Sequence, residues 1–167
     1  MKMIWKKATT ANKLSVNKLI KTIYEHLSIE KQSVAICDMH NSNLLKIKES
    51  ICISGVIVTD SLDSLNTLLG VCECDNPENF MTVEKMAKVC ERLRQAFKSD
   101  YSLFISHEFK GQIGICVQSK IRTYVTTLET SEYSKKTVRY KALYELAKIV
   151  YNEANQSVPI KERKIVF

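Results

Sequence analysis

Stretches with apolar residues at helical spacing alternate along this chain with short runs of β-branched residues, and that alternation restricts the folds open to it. Strands this short and this apolar are buried on both faces, which requires helices laid over each side of a sheet. Leu14, Val16, Leu19, Ile20, Ile23, Tyr24 and Leu27 fall on one helical face with Lys13, Lys18 and Lys21 opposite, so the first element is an amphipathic helix. Ser33 to Cys37 reads as a short strand ended by the polar Asp38 to Asn43, and Leu44 to Glu49 as a brief helix. Ile51 to Val58 is the most β-like run, and its Gly55 marks a bulge or the close approach of another group.

Ser61 to Leu69 is expected to be a short helix closed by Gly70, followed by a loop from Cys72 to Asn79 that contains Pro77. Thr82 then caps a strong helix with Val83, Met86, Ala87, Cys90, Leu93 and Phe97 on its core face. Leu103 to Ile105 is the centre of a further strand. After a turn at Lys110 and Gly111, Ile113 to Val117 and Tyr124 to Leu128 form an antiparallel pair joined near Ser119 and Lys120. The last helix runs from about Ser134 to Asn152 with Val138, Ala142, Leu143, Leu146, Ala147, Val150 and Tyr151 inward. Residues 153–167 read as a polar, basic tail with an apolar tip at Ile165, Val166 and Phe167. The expected architecture is α/β, a three-layer α/β/α sandwich with a mixed sheet. With no repeat or linker in 167 residues, 1–167 is read as a single domain.

Composition narrows the classes of function. Hydrophobic residues at 45% and charged residues at 26% exclude a disordered chain, and 4 Gly with 2 Pro exclude collagen-like or linker-rich designs. The longest apolar runs are too short to cross a bilayer, so no membrane partner is expected. Met1 to Lys7 carries three lysines, but the polar Thr9 to Lys13 follows where a signal peptide needs apolar residues. Six scattered cysteines, four of them within apolar runs, fit a reducing, cytoplasmic compartment. A net charge of +7 favours anionic partners, yet the lysines are spread everywhere and accompany no known nucleic-acid module. Nucleic acid is therefore not the expected partner.

In open α/β sheets ligands bind beyond the carboxyl ends of the strands. Three polar clusters occupy such positions: Asp38, His40, Asn41 and Ser42; Thr59, Asp60 and Ser61; and Ser106, His107 and Glu108. If their strands are neighbours and similarly directed, these clusters meet at one crevice. No phosphate-binding Gly-rich loop, HExxH or G-x-S-x-G motif is present. Cys72 and Cys74 are spaced as C-x-C with no second pair at zinc spacing, and reduced loop thiols are the expected reading. Cys37, His40, Asp60 and His107 could supply soft and imidazole ligands from three strand ends, but no metal or cofactor is expected in a chain with three histidines. His26, at the end of the first helix, is explained by the helix dipole.

The segment order resembles a known family. Val58-Thr59-Asp60-Ser61 through Leu68-Leu69-Gly70-Val71 is similar to the strand, Thr-Tyr-Ser turn, lysine and Leu-Leu-Gly-Val of the CinA C-terminal domain family. Met81-Thr82-Val83-Glu84-Lys85-Met86 resembles its Val-Ser-x-Glu-x-x-x-Met helix start, Ser99-Asp100-Tyr101-Ser102-Leu103 its Ala-Asp-Tyr-Ala-Leu strand, and Ile113-Gly114-Ile115 its Val-Gly-Thr. The resemblance spans about residues 12–152 and rests on collinear order.

That resemblance implies a relation to nicotinamide mononucleotide deamidases, which hydrolyse a carboxamide to a carboxylate. Such chemistry needs an activated nucleophile, a base and donors for the oxyanion. In the family's Ala-Glu-Ser-Cys-Thr-Gly-Gly turn the serine is the expected nucleophile, with the Thr-Tyr-Ser tyrosine and a downstream lysine as activators. Here the turn reads Cys37-Asp38-Met39-His40-Asn41-Ser42-Asn43, so the serine position is Met39; the tyrosine position is Asp60 and the lysine position Leu65. Neither a thioether nor an alkyl group can take these roles. The arginine of the family's Gly-Asp-Arg stretch falls near Ser131, and the segment from Asp38 to Gly55 is shorter than usual.

Polar character survives at Asp38, which keeps a carboxylate; at Thr59 and Ser61, which are unchanged; at Ser106; and at Lys135, near a basic position of the last helix. The implied protein has no catalytic residues of the family type, retains a crevice for a nucleotide-like small molecule and forms a homo-oligomer. Two other readings stand beside it. One is an amidohydrolase with altered residues, using Cys37, His40 or Ser42 with His107; the other is a nucleic-acid-associated basic protein.

Overall fold

The computed structural model describes residues 13–42, 52–71 and 82–156. Its strands are β1 (Val34–Asp38), β2 (Ile53–Val58), β3 (Tyr101–Ile105), β4 (Gln112–Gln118) and β5 (Thr123–Glu129). Its helices are α1 (Lys13–Ile29), α2 (Leu62–Leu69), α3 (Val83–Phe97) and α4 (Lys135–Gln156). The strands form one sheet in the order β2-β1-β3-β4-β5. β1 pairs in parallel with both β2 and β3, while β4 and β5 continue the sheet as antiparallel neighbours. The connection from β2 to β3 passes through α2 and α3 and steps over β1, as parallel neighbours demand.

Both faces of the sheet are covered, so the three layers and the mixed sheet stand as expected from the sequence. One hydrophobic cluster joins Ile23 and Leu27 of α1 and Val138, Ala142, Leu146 and Val150 of α4 to Val34, Ile36, Leu103, Ile105, Ile113 and Ile115. The other joins Leu65 and Leu69 of α2 and Met86, Val89, Cys90 and Leu93 of α3 to Ala35, Cys37, Phe104 and Cys116. Alternate residues of β1 and β3 feed opposite clusters, the two-residue period of a strand buried on both sides.

Local signals place the helix ends well. Ser61 caps α2 by accepting from Ser64 N at 3.2 Å, and Gly70 ends it in the left-handed region at φ 60. The Thr82 hydroxyl accepts from Lys85 N at 3.3 Å at the start of α3. Lys110 and Gly111 turn the chain with φ of 47 and 77. Gly55 fulfils both sequence expectations. The β1–β2 register slips beside it, with Val34 opposite Ile53 but Ala35 opposite Gly55, and the Phe97 ring lies where a Gly55 side chain would be.

Three expectations need correction. Val83 is 55% exposed, whereas Val89 is fully buried and belongs to the core face of α3. The buried stripe starts at Met86, and Val83 in the first helical turn extends past it. The last helix continues to Gln156, so the first residues assigned to the tail are helical. Tyr151 is half-buried, and Ile149 is fully buried in its place on the inward face. The brief helix at 44–49, the loop from 72 to 79 and the end of the tail lie outside the described residues.

Candidate functional site

The carboxyl ends of β1, β2 and β3 lie side by side, because Asp38 is opposite Val58 on one side and Ile105 on the other. The backbone beyond them is stitched across: Met39 N donates to Ile105 O at 2.9 Å and Thr59 N to Asp38 O at 3.4 Å. The polar residues just past these ends, Asp38, Thr59, Asp60, Ser61, Ser106 and His107, therefore belong to one end of the sheet.

Most of their polar atoms serve the loops themselves. Asp38 is 2% exposed; its carboxylate accepts from His40 N at 3.1 Å and, through Oδ2, from both Ser42 N and the Ser42 hydroxyl at 2.8 Å. This closes a five-residue turn in which exposed Asn41 takes φ 51, a conformation asparagine tolerates. Thr59 Oγ1 accepts from Ser61 N at 3.1 Å, and Ser61 Oγ caps α2. Ser106, fully buried, accepts from Gly114 N and donates to the His107 carbonyl, both at 2.8 Å. Asp60 is exposed.

Asp38 and Ser106 leave the sheet on opposite faces. Ile36 packs in the α1/α4 cluster, so Asp38, two residues on, points toward α4; Phe104 packs in the α2/α3 cluster, and Ser106 continues that side. On the α4 side a charged group forms. His40 is half-buried and feels Lys135, the first residue of α4, together with Asp38 and Glu108. Burial and then Lys135 hold the His40 imidazole below its ordinary value, with Asp38 and Glu108 opposing. Burial also lowers His107. Glu108, the last residue of the polar cluster past β3, belongs to this group. Its position three residues past β3, level with His40 two past β1, is the signal that points to it.

The residues available for nucleophilic chemistry are differently placed. Cys37 is fully buried in the α2/α3 cluster, and burial, then Cys90 and Asp38, push its thiol up. The Ser42 hydroxyl is committed to Asp38 inside the turn. Met39 and Leu65, which stand at the serine and lysine positions of the resemblance, are 3% and 0% exposed and belong to the same hydrophobic cluster. Among the described residues no group of three or more His, Cys, Asp and Glu side chains could hold a metal ion, and no helix is long and apolar enough to cross a membrane.

No protein-family model and no curated protein sequence matches the chain. Solved structures do. A competence or damage-inducible protein from Enterobacter asburiae superposes with a TM-score of 0.62 at 16% identity, over 82% of this chain and 97% of that one. A competence-damaged protein (CinA) superfamily protein from Escherichia coli gives 0.64 at 11% identity over 83% and 90%. A competence damage-inducible protein A (ComA) from Klebsiella pneumoniae gives 0.64 at 11% identity over 86% and 99%. The TM-scores and the coverage of more than four-fifths of this chain agree across the three: this chain has the fold of the CinA-superfamily competence-damage proteins.

Proposed function

We propose that this chain is a CinA-like protein without nicotinamide mononucleotide deamidase activity that uses the β1–β3 end of its sheet to bind a nucleotide-like small molecule. The observation that carries the reading is the burial of Met39 and Leu65 in one hydrophobic cluster. The positions that the resemblance gives to the nucleophile and its lysine belong to that one cluster, and both are filled by core side chains. Neither can share or accept a proton.

Binding rests on what remains polar on the α4 side. Exposed Lys135 at the start of α4 offers a positive charge to a phosphate, and half-buried His40 and exposed Asn41 offer hydrogen bonds at the rim of the Asp38 turn. Asp38, Thr59, Ser61 and Ser106 shape that rim through their internal bonds. Among the described residues the buried cysteines Cys37, Cys52, Cys90 and Cys116 form no disulfide, which supports a reducing, cytoplasmic setting. We further take the protein to be a homo-oligomer, as the resemblance implies.

The test is a calorimetric titration with nicotinamide mononucleotide. Saturable heat that weakens at least fivefold in Lys135→Glu and His40→Ala agrees with the proposal. Absence of heat at millimolar nucleotide, or heat untouched by both substitutions, contradicts it.

A further inference from the structure

Five of the chain's seven tyrosines fall between residues 124 and 151, on β5, α4 and the turn between them. Three of them carry a cationic side chain against the ring: Lys148 Nζ is 5.3 Å from the Tyr124 centroid, Lys141 Nζ 5.6 Å from Tyr144, and Arg139 Cζ 5.2 Å from Tyr140. The rings of Tyr124, Tyr140 and Tyr144 are half-buried, resting one side on the α1/α4 cluster. Tyr140, Tyr144 and Lys148 are spaced four apart and so line one side of α4 over about 12 Å.

The Tyr124 hydroxyl accepts from Asn152 Nδ2 at 3.0 Å and from Arg122 Nη1 at 3.4 Å, which leaves its own proton to donate outward. Beneath the stripe, buried Glu145 receives Lys148 at 3.1 Å and Lys141 at 4.0 Å and fixes both lysine stems. Those two side chains remain 46% and 40% exposed. Arg122, Lys141 and Lys148 against Glu145 leave the stripe cationic.

Charge alone does not single this face out, since α1 and α3 are also rich in lysine. What distinguishes it is the interleaving of fixed cations with aromatic rings. That combination suits a partner that presents phosphates and flat, unpaired rings together. Tyr124 lies near the start of β5, which runs parallel to β1, so the stripe reaches the sheet end opposite Asp38. It is separate from the crevice discussed above.

We propose that the Arg122, Tyr124, Lys141, Tyr144 and Lys148 surface binds single-stranded nucleic acid, with the Tyr124 hydroxyl and the cations on phosphates and a base replacing the Lys141 ammonium over the outer face of Tyr144. Arg122, followed by Asn152, holds the Tyr124 phenol below its ordinary value, which strengthens it as a donor to a phosphate oxygen. Three phosphate contacts on a single strand correspond to a slope of about −2 in a plot of log affinity against log salt concentration.

The test is fluorescence anisotropy of the full chain with a labelled 12-nucleotide thymidine strand across a salt series. The same strand annealed to its complement and vesicles containing phosphatidylserine serve as competitors. The expected result is binding of the single strand with a slope near −2 and weaker competition by the duplex. Arg122→Gln should make the slope shallower by about 0.7, and Tyr144→Leu, which preserves apolar packing, should lower affinity about tenfold. Thermal melts of both variants check that the fold is kept, and Tyr140→Leu gives a second reading of the stacking component. No binding at low salt overturns the proposal. So does duplex competition equal to that of the single strand, affinity unchanged in both tyrosine variants, or displacement by vesicles but not by unlabelled strand.

Discussion

At Asp38 one carboxylate accepts three hydrogen bonds from the turn that follows β1, two of them from Ser42. A side chain that reads in the sequence as a ligand-facing acid is thus also the organiser of its own loop. Ser106 and Ser61 repeat the pattern, one bonded to Gly114 and the His107 carbonyl, the other capping α2. Sequence locates such residues correctly at strand ends, because apolar runs end where the chain meets water. It does not show how many of their lone pairs the backbone takes, since those partners are set by the turn geometry. The histidines carry a consequence for pH. Burial holds both His40 and His107 below the ordinary 6.5, so near that pH the unfolded chain binds more protons than the folded one. Stability should therefore be full above 6.5 and fall as pH drops below it through the folded values. Chemical denaturation from pH 7.5 to 5 checks this: the slope should flatten in His40→Gln/His107→Gln, and an unchanged slope would count against buried, neutral imidazoles.

Among the elements, those with strong punctuation were the most legible. Ser61 with Gly70 around α2, Thr82 before α3, and Lys110-Gly111 before β4 each act through a local bond or a left-handed residue, so nearby sequence suffices to place them. The core face of α3 was less legible at its edges, since burial of Val89 and exposure of Val83 depend on where the sheet lies under the helix. Gly55 shows how the β2 edge and α3 depend on each other. Its missing side chain makes room for Phe97 at the last turn of α3, beside the register slip between β1 and β2. Gly55→Ala should destabilise the protein by about 1–3 kcal/mol through overpacking. Gly55→Ala/Phe97→Leu should recover part of that loss. Urea titration measures both, and a neutral Gly55→Ala would show that the ring moves aside freely.

For the molecule as a whole, the alternation of helical and strand patterns was enough to give three layers and a mixed sheet. The same patterns did not give which faces the strand-end residues leave from. Asp38 toward α4 and Ser106 toward the α2/α3 side follow from the register of β1 and β3 with their neighbours, a long-range property. Self-association belongs to this scale too. Light scattering at micromolar concentration should give a mass above that of one chain, and truncation after Pro159 tests whether the Ile165-Val166-Phe167 tip contributes. A monomeric mass for the full chain rejects association. On the proposed reading, packing at Met39 and Leu65 has replaced deamidase chemistry. Ammonia release from nicotinamide mononucleotide is the decisive measurement: no release above a buffer blank is expected, whereas turnover that disappears in Ser42→Ala or Cys37→Ala would show that a nucleophile still operates.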